Sequence, residues 1–195
     1  MVTEILLRKT NAEKVQNYIG EVEIALPSPQ AVLAICDAKL YDLLQPFGLQ
    51  QRKAAELRVI ASILVERHGG LVPGDLHHLQ SLPGVGDYIS NAVMCFAFGS
   101  KHAVLDTNVI RIFDRALGVQ SVRSRPRTDP ILWRLAHVLL PKRLFKEYNW
   151  ALLDLGKRVC KAQRPSCYCC PLADLCVYRS DTNDMSADQK SATLG

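Results

Sequence analysis

Cys160, Cys167, Cys170 and Cys176 follow the pattern C-x6-C-x2-C-x5-C, four thiols within seventeen residues that can converge on one compact centre. Four thiolates without a histidine partner suit a tetrahedral zinc ion or an iron–sulfur cluster, and ligand number alone does not choose between them. Structural zinc sites usually join two short C-x2-4-C knuckles, whereas this pattern holds a single short pair, Cys167/Cys170. Cys169 lies inside that pair's spacer, and Cys36 and Cys95 fall on apolar helix faces where a core role is expected. Seven cysteines in a chain without a signal-peptide pattern favour a metal or cluster over a disulfide framework.

The second chemical signal is charge. Twenty-four Lys and Arg against nineteen Asp and Glu give a net charge of +5, and the excess is clustered. Arg123, Arg125 and Arg127 share one proline-containing loop. Lys157, Arg158, Lys161 and Arg164 lie in a stretch with no acid between Asp154 and Asp174. Such clusters suit a polyanion, most commonly phosphate. In Leu82-Pro83-Gly84-Val85-Gly86-Asp87-Tyr88, the two glycines would let backbone N–H groups point outward at the head of the next helix, where a phosphate is favoured. A G-x-G turn serves equally well as a plain helix cap.

These groups need a scaffold, and the apolar residues describe a helical one. A chain of 195 residues, 48% apolar, can bury one substantial core or two small ones. Apolar positions recur at helical spacing, as in Val2, Ile5 and Leu6 and then Val15, Tyr18 and Ile19. Further helices read over 29–38, 39–45, 50–68, 75–80, 87–98, 107–117, 129–140 and 145–160, with breaks at Pro27/Pro29, Gly48, Gly69-Gly70, 83–86, Gly99, Gly118 and Pro141. The expected class is all-α. Residues 180–195 turn polar and are expected to form a disordered tail. No run approaches the roughly 18 apolar residues of a membrane span, so a soluble intracellular protein without a membrane partner is expected.

The cysteine pattern, the 82–88 segment and Val104-Leu105-Asp106-Thr107-Asn108-Val109-Ile110-Arg111 together resemble the endonuclease III (HhH-GPD) superfamily of base-excision DNA glycosylases. The resemblance runs from Val2 to Arg179. It implies a two-lobed fold: residues 1–100 as a helical lobe with a helix-hairpin-helix at 82–88, and 101–179 carrying the candidate aspartate and a cluster lobe. It also implies a [4Fe-4S] cluster on Cys160, Cys167, Cys170 and Cys176, double-stranded DNA with a mispaired or damaged base as partner, a monomer, and a cytoplasmic, nucleoid-associated location.

The resemblance assigns roles residue by residue. Asp106 matches the carboxylate that stabilises positive charge on the sugar or positions water as the base departs, a role compatible with capping the next helix. Bifunctional relatives place a nucleophilic lysine where this chain has Tyr88. A phenol cannot form an imine, so little or no lyase activity is expected. Tyr88 at this place resembles the G:T-mismatch thymine glycosylases. Glu4 matches the carboxylate that meets the extruded base, and Arg8 and Lys9 follow it in a loop expected to enter the vacated stack or touch the orphan base. Gly84, Val85 and Gly86 match the phosphate-binding hairpin, and Lys161 and Arg164 a basic loop templated by the cluster.

The implied activity is removal of thymine or uracil opposite guanine. The alternatives are removal of adenine from A:G or A:8-oxoG pairs, and a weakly active DNA-binding homologue. The last arises because the pocket helix of the family begins before the point matching Met1 and an extra N-terminal helix precedes it. The 8-oxoguanine-reading C-terminal domain of adenine glycosylases has no counterpart in this sequence.

Overall fold

In the computed structural model, residues 1–180 are described, and among them there are helices and turns but no strand. The chain forms two compact units, Met1–Met94 and Cys95–Gly195. The tail expected over 180–195 lies, apart from Ser180, outside the described residues. No helix among the described residues is long and apolar enough to cross a membrane.

The first unit contains α1 (Val2–Leu7), α2 (Ala12–Ala25), α3 (Pro29–Ala34), α4 (Asp37–Leu44), α5 (Gln50–His68), α6 (Leu76–Ser81) and α7 (Asp87–Ala92). Its axis is α5, whose Ala54, Leu57, Ile60, Ala61 and Leu64 recur at helical spacing and are all buried. Ile5 and Leu6 of α1, Leu40 and Leu44 of α4, and Val85 and Ile89 of the hairpin region complete that core. Helix starts follow local capping chemistry. Asn11 caps α2, Ser28 caps α3 with Pro29 in its first turn, and Asp75 caps α6.

The helix expected over 29–38 is two pieces. Ile35 is extended, and Arg58 of α5 takes the carbonyls freed there, donating to Val32 O at 3.0 Å, Leu33 O at 3.2 Å and Ile35 O at 2.6 Å. The same guanidinium pairs with Asp37 at the head of α4 at 2.6 Å. A tertiary contact thus sets this break, and Cys36, expected in the core, becomes the exposed residue ahead of α4. Cys95, by contrast, is fully buried. The helix expected over 87–98 stays α-helical to Ala92 and widens into a π-helix over Val93–Ala97. Within α7, Ser90 and Asn91 turn their side chains back onto the Asp87 carbonyl at 3.1 and 2.8 Å, competing with the regular ladder.

The second unit contains α8 (Thr107–Leu117), α9 (Pro130–Leu139) and α10 (Phe145–Arg158). Helix α8 is strongly amphipathic, burying Val109, Ile112, Phe113 and Ala116. It packs on α10 at Gly156, where an added Cβ would stand 2.5 Å from the Asn108 Cβ and 3.3 Å from its Cα. Only glycine allows the two helices to approach this closely.

Candidate active site and cysteine centre

Asp106 is the N-cap of α8. Its Oδ1 accepts from the backbone N–H groups of Asn108 and Val109, both at 2.8 Å, and Oδ2 accepts from the Asn108 side-chain amide at 2.6 Å. Both oxygens are thereby oriented at the positive end of an eleven-residue helix. The segment leading into Asp106, Ala103–Val104–Leu105, is buried, and Asn149 of α10 holds it. Buried Asn149 accepts from Val104 N–H at 3.0 Å and donates to His102 O at 3.0 Å. Its amide also donates to the buried Cys95 sulfur at 3.3 Å. Burial of the Cys95 thiol pushes its pKa up, so it stays a neutral packing group. The aspartate is therefore fixed from both sides, by its own helix and by the buried amide behind it.

One hydrogen-bonded path runs from Asp106 toward the cysteines. Arg111 donates to Asn108 Oδ1 at 2.9 Å, to Gly156 O at 2.7 Å and to Cys160 O at 2.8 Å. One turn on, Arg115 donates to Lys161 O at 2.6 Å and Ala162 O at 2.9 Å, with the Cys160 sulfur at 3.6 Å. Its guanidinium also stacks over the Tyr178 ring, 5.0 Å from the centroid. Cys160, Cys167, Cys170 and Cys176 all line one cavity, together with Arg115, Val159, Pro165 and Arg179. No histidine or carboxylate lines it. Burial raises the pKa of the Cys167 thiol, and the nearby sulfurs of Cys176, Cys170 and Cys160 raise it further. Four mutually repelling sulfurs require a cationic centre to be ionised together. Lys161 and Arg164 are exposed on the loop between the first two cysteines, Arg164 with a left-handed backbone of φ 49°.

In the first unit, Glu4 stands half-buried in α1, and Tyr88 in the first turn of α7 packs its ring against the core. Arg8, expected in a DNA-contacting loop, has partners within the unit. It forms an ion pair with Glu56 of α5, and its other terminal nitrogen lies 3.4 Å from Gly84 O in the hairpin. Gly84 rests on this pair with φ +73°, so a side chain there would strain the backbone and push the Glu56 carboxylate aside. Lys9 is exposed, with a left-handed backbone of φ 55°. Beneath this turn, Lys53 is buried and donates to Leu6 O at 3.0 Å, Thr10 Oγ1 at 2.6 Å and Phe47 O at 2.9 Å. Desolvation lowers the Lys53 pKa, and three acceptors satisfy the ammonium.

Residues 2–137 match the HhH-GPD superfamily of base excision DNA repair proteins. The chain belongs to that superfamily. This HhH-GPD protein is 39% identical to a thymine-DNA glycosylase of Aeropyrum pernix over 180 residues, 91% of this chain and 81% of the relative. It is 38% identical over 181 residues to a thymine/uracil-DNA glycosylase of Pyrobaculum aerophilum, covering 91% and 79% of the two chains. Among solved structures, a thermostable thymine-DNA glycosylase superposes with a TM-score of 0.87 at 31% identity, covering 92% of this chain and 82% of that one.

The HhH-GPD fold places Glu4, Arg8, Lys9, the hairpin and Tyr88 in the first unit, and Asp106, Lys161, Arg164 and the four cysteines in the second. Sequence reasoning missed the residues that hold these in place: Glu56, Lys53, Arg111, Arg115 and Asn149. For Arg111 and Arg115 a signal existed, because they continue the polar stripe of α8 from Asn108 at spacings of three and four. Nothing local marks Lys53 or Asn149 as buried.

Proposed function

We propose that this chain is a monofunctional base-excision DNA glycosylase that hydrolyses the N-glycosidic bond of thymine or uracil mispaired with guanine in double-stranded DNA. The observation that carries the reading is Asp106, its carboxylate fixed by three donors at the head of α8. The names of the relatives point to the base. The mispaired nucleotide must leave the stack before its glycosidic bond can be reached. Asp106 then stabilises the positive charge that develops on the sugar as the base departs, or positions the attacking water. Glu4 hydrogen-bonds or protonates the extruded pyrimidine. Tyr88 packs near it and supplies no amine, so the product is an abasic site with an intact strand.

The Gly84–Val85–Gly86 hairpin, Lys161 and Arg164 bind phosphates, and Lys9, exposed where Arg8 is paired, reaches toward the gap left by the base. Cys160, Cys167, Cys170 and Cys176 would hold a [4Fe-4S] cluster. The four sulfurs that line their cavity, with Arg115 and Arg179 in the same lining and no histidine or carboxylate, fit a thiolate-ligated, anionic group. Bound there, the cluster would template the basic loop and take no part in bond cleavage. The protein acts as a monomer on chromosomal DNA in the cytoplasm.

A panel of duplexes carrying G:T, G:U, A:G and A:8-oxoG, assayed with and without alkali, tests this reading. Release at G:T and G:U with nicking only after alkali is expected. Preferential action at A:8-oxoG would overturn the choice of base, and binding without base release would overturn the enzymatic assignment.

A further inference from the structure

Away from the candidate active site, the end of α5 and the start of α6 bring together a group of side chains that neither Asp106 nor the cysteines use. Asp75, His77 and His78 each offer a ligand atom, and these atoms lie within 4.8 Å of one another. Asp75 Oδ2 is 2.6 Å from His78 Nδ1. The His78 ring is flanked by His77 at 5.6 Å and by His68, the last residue of α5, at 5.5 Å between centroids. Two histidines thus converge with one carboxylate, and a third, His68, stands against the ring of His78.

We propose that Asp75, His77 and His78, with His68 as a further ligand, form a surface site for a borderline transition-metal ion such as Zn2+ or Ni2+. Imidazole with one carboxylate suits these ions and not the oxygen-seeking Mg2+ or Ca2+. With metal–ligand bonds of about 2.0–2.2 Å, tetrahedral ligand atoms sit roughly 3.3 Å apart. Rotation of exposed side chains closes the remaining distance, since Asp75, His77 and His78 are all exposed. The backbone is already set for this. Asp75 Oδ1 caps α6 by accepting from His78 N–H at 2.9 Å, which fixes the carboxylate orientation, and a bound ion would replace the contact between Oδ2 and His78 Nδ1.

Asp75, His77 and His78 follow the Gly69–Gly70 turn and His68 precedes it, so with His68 as a ligand the ion would cross-link the end of α5 to α6. That helix leads straight into the hairpin. Ser81 Oγ bonds His78 O at 2.8 Å, and the Gln80 amide donates to Asp87 at 2.9 Å across the turn. An occupied site would therefore stiffen the platform from which the hairpin projects.

The test is calorimetric titration of the purified, cysteine-centre-loaded protein with Zn2+ and, separately, Ni2+ in a non-coordinating buffer. One saturable site with a Kd below about 100 µM is expected. Asp75→Asn, which keeps the capping oxygen, and the pair His77→Ala/His78→Ala should each weaken it at least about tenfold, while His137→Ala leaves it unchanged. Loss of backbone amide signals around residues 66–81 on adding paramagnetic Ni2+ would locate the ion independently of any variant. Absence of saturable uptake, or uptake that survives both sets of substitutions, would overturn the proposal.

Discussion

Gly156 of α10 and Asn108 of α8 approach so closely that a methyl group on Gly156 would overlap the Asn108 side chain, 2.5 Å from its Cβ. Asn108 also donates to the Asp106 carboxylate, so this contact bears on the candidate site. Gly156→Ala should gain up to about 1 kcal/mol of helix propensity, and it should lose roughly 1–3 kcal/mol to overpacking against backbone that cannot give way. Overpacking wins. The expected result is a thermal midpoint lowered by several degrees and base release slowed more than DNA binding is weakened. A midpoint at or above that of the parent would show that α8 and α10 are free to part.

Asp106 serves two purposes that substitution can separate. Asp106→Asn keeps an oxygen able to cap α8, so the fold and DNA binding should persist while base release falls by on the order of 10²-fold. Asp106→Ala should lose the same chemistry and, in addition, about 1 kcal/mol of stability from the missing cap. Single-turnover kinetics beside thermal melts distinguish the two. Near-parental turnover in the asparagine variant would reduce Asp106 to a helix cap.

Gly84 sits on the Arg8–Glu56 ion pair with a left-handed backbone. Gly84→Ala must strain that conformation and displace the glutamate. DNA affinity should fall by a similar factor for matched and mismatched duplexes, because the hairpin meets phosphate and not base. A selective loss of mismatch recognition, with matched-duplex affinity intact, would contradict this placement of the hairpin's role.

Tyr88 decides the reaction type. Tyr88→Lys should introduce strand nicking without alkali and a covalent adduct trapped by borohydride, provided that the new amine reaches C1′ with a lowered pKa. Trappable nicking by the parent protein would show that a different amine already acts there.

The sequence was most legible where one helix face and its cap agree. Over α5 and α8 the apolar spacing and the flanking breaks lead to Gln50–His68 and Thr107–Leu117, the bounds observed. Legibility failed where a distant side chain decides a local matter. Arg58, more than twenty residues along the chain, collects the carbonyls at the end of α3 and so creates a break that no glycine or proline announces. Arg8 illustrates the same limit: nothing near it in sequence announces its ion pair with Glu56 of another helix. Asp106 and the four cysteines stand out as candidates because their motifs are short-range, whereas Asn149 and Lys53, which hold the segments around the site, are ordinary polar residues until the fold buries them.

The arginine clasp of α8 has a consequence for maturation. Arg111 and Arg115 grip the carbonyls of Gly156, Cys160, Lys161 and Ala162, so the backbone entering the cysteine loop is anchored by protein alone. Whatever group the four thiols receive, its first ligand stands at a prepared doorstep, and the chain entropy still to be lost is that of the shorter span toward Cys176.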